Sequence, residues 1–162
     1  MPDAEFATLA STPNTKERIV SLTWHKDIPV WDAGKLRIVG GTEKGILDSR
    51  YADIEEGSAV PCNWYRAERD GAVVGYGWVD VNWGEAEILL ATSDGAQGSG
   101  VGSFILEQLD DEARRMGLAY IYNVVRPTHP QGDKVAAWLA KRGFEKNPDG
   151  RLTRQVGKAL TS

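Results

Sequence analysis

The chain has 162 residues, 41% of them hydrophobic and 26% charged, and a formal net charge of −4; this is the profile of one globular domain around one core. The acidic balance excludes the basic footprint of a nucleic-acid binder, and no apolar run approaches the length of a bilayer span. A single cysteine, Cys62, excludes an internal disulfide, a zinc–cysteine cluster and a CxxC redox pair.

The opening Met-Pro-Asp-Ala-Glu has neither the basic nor the apolar region of a secretion signal, so a cytoplasmic location is expected. Residues 1–15 read as a loose polar segment ahead of one domain over 16–162. Alternation over 18–24 predicts a first strand. Prolines and glycines interrupt 25–60, where helical pieces are expected near 43–56. A strand over 64–68 leads to Asp70-Gly71, a tight hairpin signal. The run 73–81 is rich in β-formers, and Gly75 and Gly77 within it mark a bulge or a close backbone approach. Asn82-Trp83-Gly84 makes a second turn into a strand over 85–92. A glycine-rich turn follows, and then Val101, Ile105, Leu109, Ala113 and Met116 mark one face of a helix over 103–116. A short strand over 119–125, a helix over 133–142 and a final hairpin around Asn147-Pro-Asp-Gly150 complete the chain. The order predicts a mixed, mostly antiparallel α/β sheet flanked by helices in a single domain.

Ser93-Asp-Gly-Ala-Gln-Gly-Ser-Gly-Val-Gly102 is the stretch most able to carry chemistry. Strand, glycine turn and helix start together bring unpaired amides and the positive end of a helix dipole to one point. That is a site for a phosphate or pyrophosphate. A nucleotide P-loop needs Lys and then Ser or Thr after the glycines, but Gly102 is followed by Ser103-Phe104. A Rossmann fingerprint needs G-x-G-x-x-G and an acid at the end of the next strand. Here the glycines at 98, 100 and 102 are spaced by twos, and the strand runs out into Arg126.

Gln97-x-x-Gly100-x-Gly102 resembles the acyl-CoA pyrophosphate loop of the GNAT superfamily of N-acetyltransferases. The likeness continues through the next strand and a last helix ending in Gly143-Phe144, and covers roughly residues 60 to 156. It implies acetyl-CoA or another acyl-CoA as co-substrate, without a metal, and an amine acceptor, a small molecule in the first instance. Dimers are frequent in that family, so a homodimer is also implied. The amides of Gln97, Gly98, Ser99, Gly100, Val101, Gly102 and Ser103 would hold the pyrophosphate, and backbone groups at Leu90 and Thr92 the pantetheine arm. The family often places a general-base carboxylate on the strand before the loop, which points to Glu87 or Glu85; alternation puts both on one face. His129, in Arg126-Pro-Thr-His-Pro-Gln131, lies where the thioester would sit and is a candidate acid or base.

One departure is sharp. The family's general-acid Tyr, four residues before Gly-Phe, is replaced by Leu139. The missing acid leaves two other readings open. The same fold could take its acyl group from a carrier protein or a tRNA, or it could serve as a silent CoA-binding module. Cys62 reads as a structural thiol rather than an acyl-bearing nucleophile. Trp138 reads as core, while Trp24, Trp31, Trp64, Trp78 and Trp83 are candidates for either core or acceptor pocket.

Overall fold

The computed structural model describes residues 21–47, 49–96 and 99–157. The chain runs β1 (Leu22–Lys26), α1 (Ala33–Ile38), a 3-10 turn (Ser49–Tyr51), β2 (Asn63–Arg69), β3 (Ala72–Asn82) and β4 (Glu85–Thr92). Then come α2 (Val101–Arg115), β5 (Tyr120–Asn123), α3 (Gly132–Ala140), β6 (Glu145–Lys146) and β7 (Leu152–Gln155). The strands form one sheet in the order β1-β2-β3-β4-β5-β7-β6. Every neighbouring pair is antiparallel except β4 and β5, which are parallel and joined through α2. The predicted fold class is what forms.

Both central hairpins close as their turn residues dictate. Asp70 and Gly71 have φ of 53° and 81°, and Trp83 and Gly84 repeat those values. Two consecutive left-handed residues make the turn whose twist matches the strands. The registers Arg69↔Ala72 and Asn82↔Glu85 follow from them. The β2–β3 ladder shifts between Ala67 and Glu68. Next to the shift, Gly75 and Gly77 let α2 lie close on the sheet. A Cβ on Gly75 would meet Ile105 Cδ1 at 2.7 Å, and one on Gly77 would meet Ile105 Cγ2 at 2.7 Å.

Both faces of the sheet are covered. Val101, Ile105, Leu109 and Ala113 of α2 are fully buried against Ala67, Val79, Ala86 and Ile88. Trp31, Ile38, Tyr51, Trp64, Trp78 and Leu89 form a second core beneath α1 and the segment that follows it. Trp64 and Trp78 stack there at 4.3 Å.

Several expectations shift. The first strand is Leu22–Lys26, later than the 18–24 expected, and 18–20 lie outside the described residues, as does the segment 1–15. The helix of the 25–60 region is Ala33–Ile38, with only the 3-10 turn Ser49–Tyr51 inside 43–56. Asp32 caps α1 by accepting the Lys35 amide at 3.0 Å. The Lys35 ammonium, fully buried, pairs with Asp27 and donates to the Ile28 carbonyl at 3.0 Å. This ion cluster holds the helix together with Ile38, which is buried in the second core. The long helix begins at Val101 and stops at Arg115, leaving Met116 exposed beyond it. The last helix spans Gly132–Ala140 rather than 133–142.

Candidate active site

Strands β4 and β5 pair only through Glu85↔Tyr120, Ala86↔Ile121 and Glu87↔Tyr122. Past that point the Asn123 side-chain amide donates to the Ile88 carbonyl at 2.8 Å, where a main-chain partner would otherwise stand. The strands part, and a cavity of about 640 Å³ opens between them. Residues of one strand alternate in the direction of their N–H and C=O groups. Leu90 and Thr92 therefore present theirs along the same edge as Ile88, into the opening. Both line the cavity.

At its outer end lies the start of α2. Gly100 caps the helix with φ 87°, a left-handed conformation costly for any residue with a Cβ. Gly100 offers no side-chain cap and no acid occupies the first turn. The amides of Val101, Gly102 and Ser103 have no intrahelical acceptor and lie at the positive end of the helix dipole. Gly100, Gly102 and Ser103 line the cavity. Val101 is buried in the core, so it offers only its amide. Ser99 turns its hydroxyl inward to the Ala96 carbonyl and accepts from Arg69 at 3.5 Å. Gln97 and Gly98 lie outside the described residues.

Glu87 stands at the inner end, where the strands divide. Its side chain is 13% exposed, lines the cavity and lies 3.8 Å from the Arg50 guanidinium. Arg50 also reaches Asp80, directly opposite Glu87 on β3, at 3.6 Å. Tyr122 sits opposite Glu87 on β5. Burial, and then the charge of Glu87, raises the pKa of its phenol, with Arg151 opposing. Glu85 is different: it sits beside the β3–β4 turn, paired with Arg151 at 3.2 Å, and is not part of the cavity wall.

His129 lines the cavity. Its Nδ1 accepts the Gln131 amide at 2.9 Å. In the neutral ring Nε2 must then carry the proton, so the ring's remaining polar function is donation. Leu139 is buried in the wall and offers no proton. Burial, and then the charge of Asp80, pushes the Cys62 thiol up to about 11. It stays protonated near neutrality and is a poor nucleophile.

Two wall residues escaped the sequence reading. Trp138 is half-buried: it packs against the core, as read, and its side chain also forms part of the cavity wall. Arg142, one turn further on, lies 4.1 Å over its ring. Their spacing of four on a helix was the available signal. The other tryptophans stay out of the cavity. Trp31, Trp64 and Trp78 are core, Trp24 stacks on Tyr65, and Trp83 is 97% exposed at its turn.

An open mixed sheet split beside a bare helix start is the frame that acetyltransferases of one family share, and here the comparisons agree. The model of the Acetyltransferase (GNAT) family matches residues 31–144, and the chain belongs to that family. Its structure is similar to a GNAT-family acetyltransferase from Streptococcus pneumoniae, with TM-score 0.62 and 12% identity over 84% of this chain and 99% of that one. It is also similar to N-acetylglutamate synthase from Neisseria gonorrhoeae, solved with coenzyme A and N-acetyl-glutamate. There the TM-score is 0.60 and the identity 19%, over 85% of this chain and 35% of that one. A phosphinothricin acetyltransferase from Sinorhizobium meliloti, solved with acetyl-CoA, matches at TM-score 0.49 and 21% identity. That match covers 60% of this chain and 63% of the relative, less than two thirds of its length. No curated protein matches the chain by sequence. Likenesses at these identities show the fold alone. Among the described residues, no three His, Cys, Asp or Glu side chains gather as a metal site, and no helix is long and apolar enough to cross a membrane.

Proposed function

We propose that this protein transfers an acetyl group from acetyl-CoA to an amine by direct attack within a ternary complex. The observation that carries the reading is the parting of β4 and β5 beside the uncapped start of α2. One cavity thereby joins an open strand edge, a bare helix N-terminus and a carboxylate. The co-substrate suits these groups: the Leu90 and Thr92 backbone an amide-bearing arm, and the amides of Val101, Gly102 and Ser103 a diphosphate. The similar N-acetylglutamate synthase, solved with coenzyme A, supports the same choice.

Amide formation needs a neutral amine, because an ammonium has no lone pair. Glu87, directly or through a water, takes the proton released as the C–N bond forms and the C–S bond breaks. His129 offers its Nε2–H as a hydrogen bond to the carbonyl oxygen or the departing sulfur, and with Leu139 at the tyrosine position the CoA leaves as the thiolate, which takes its proton from solvent. An amino acid or another small amine is the acceptor class, in line with the synthase solved with N-acetyl-glutamate. The acidic charge favours a neutral or cationic acceptor.

Calorimetric titration with acetyl-CoA tests this on the wild type and on Gly100→Trp, with folding checked by circular dichroism. Micromolar binding that the variant loses is the expected result. A folded wild-type protein that binds neither acetyl-CoA nor free CoA overturns the reading.

A further inference from the structure

Side-chain cations commonly accompany a diphosphate site, yet the glycine turn carries none in its own sequence, where Gln97 stands at the position that arginine can take, and Arg69 reaches it only at the Ser99 hydroxyl, 3.5 Å away. The wall opposite supplies them. Lys134, Trp138 and Arg142 follow one another at intervals of four along α3 and the turn after it, and all three line the cavity. The indole edge rests over the start of α2, since a Cβ on Gly102 would lie 3.7 Å from Trp138 Cζ2. The Arg142 guanidinium stacks on that indole at 4.1 Å. It donates from Nη1 to the Trp138 carbonyl at 3.0 Å and from Nη2 to the Ser103 hydroxyl at 2.9 Å.

This geometry fixes a cation in place. The stack and two hydrogen bonds hold the fork beside the first turn of α2, where the free amides are. Both acceptors are uncharged, and three of the five N–H groups of a guanidinium remain to be used. Burial lowers the Arg142 pKa, with Glu107 acting the other way. The group has thus given up water without gaining a carboxylate at its two bonded positions. A planar, pre-oriented fork of this kind suits two adjacent phosphoryl oxygens, and an ammonium in its place would not stack.

Resting on the acyl-CoA reading above, we propose that Arg142, braced by Trp138, is a donor-specificity residue that reads the diphosphate of the acyl carrier. Free CoA carries a diphosphate and a ribose phosphate there, whereas a pantetheine arm borne by a carrier protein has a single phosphate. Arg142 therefore selects the free CoA thioester over a carrier-bound one.

The test compares CoA with 4′-phosphopantetheine by calorimetric titration of the wild type, Arg142→Gln and Arg142→Lys. Arg142→Gln is expected to weaken CoA binding about tenfold or more while changing 4′-phosphopantetheine binding less than about threefold. Arg142→Lys, which keeps the charge and guards against a misfolded variant, should fall between. Equal losses for both ligands would make Arg142 a structural prop and overturn the proposal. So would unchanged CoA binding in Arg142→Gln. A wild-type protein that fails to bind CoA overturns the acyl-CoA reading and the proposal with it; wild-type binding with an indifferent variant overturns only the Arg142 assignment.

Discussion

The side-chain amide of Asn123 donates to the main-chain carbonyl of Ile88 at 2.8 Å, one residue beyond the last β4–β5 pair. A side chain thus ends the ladder by taking the place of the next strand residue. The same bond satisfies a carbonyl that the parting strands would leave unpaired. Asn123→Ala should therefore cost about 1–3 kcal/mol of stability, the range for an orphaned buried acceptor. It should also weaken acetyl-CoA binding, because the edge at Leu90 and Thr92 is no longer held apart. Urea unfolding and calorimetry read the two effects. Unchanged values in both would show that the gap is maintained elsewhere.

Arg154 is fully buried and donates to Asp110 at 2.9 Å, and the Gly157 amide donates to the same carboxylate at 3.1 Å. Nε and Nη2 of Arg154 have no hydrogen-bond partner among the described residues, and Asp110 is the carboxylate that compensates this charge. Removing one partner of a buried ion pair leaves the other uncompensated, at a cost of about 3–5 kcal/mol. Asp110→Asn should destabilise by that order in denaturant unfolding. The double change Asp110→Leu with Arg154→Met should recover most of the loss. A single variant within about 1 kcal/mol of wild type would contradict the pairing.

Alkaline sensitivity follows from the buried hydroxyl and thiol groups. Burial raises Cys62 to about 11 and, with Glu112 adding to it, Tyr65 to about 12. Tyr51 and Tyr76 are raised by burial as well. The unfolded chain releases these protons first, so above about pH 9 it holds fewer protons than the folded protein. Stability then falls with rising pH, from the ordinary values of 9.0 and 10.0 upward through the raised ones. Denaturant unfolding at pH 8 and pH 10.5, with phenolate absorbance followed in parallel, checks the direction. Constant or rising stability across that window would contradict it.

Local signals were legible where turn chemistry and periodicity agree. Asp70-Gly71 and Trp83-Gly84 set two hairpins, and the strand Glu85–Thr92 was readable to its last residue. The buried face of α2 followed from spacing. The region of α1 was illegible because its determinants are distant. A six-residue helix is too short to stand by propensity, and its anchor, Lys35, looks like a surface residue until Asp27, Trp64 and Tyr76 enclose it. Glu87, His129 and Leu139, far apart in the sequence, line one cavity. Asn123, Trp138 and Arg142 were missed because their roles arise between elements: a strand that stops pairing, and a helix that crosses the start of another.

The most direct measurement is thiol release from acetyl-CoA with a panel of small amines and amino acids, on wild type and Glu87→Gln. Amine-dependent release is predicted for the wild type. In Glu87→Gln, kcat should fall roughly 10²-fold or more while acetyl-CoA affinity stays within about threefold. Turnover by Glu87→Gln at the wild-type rate would contradict the role given to the carboxylate at the parting of β4 and β5.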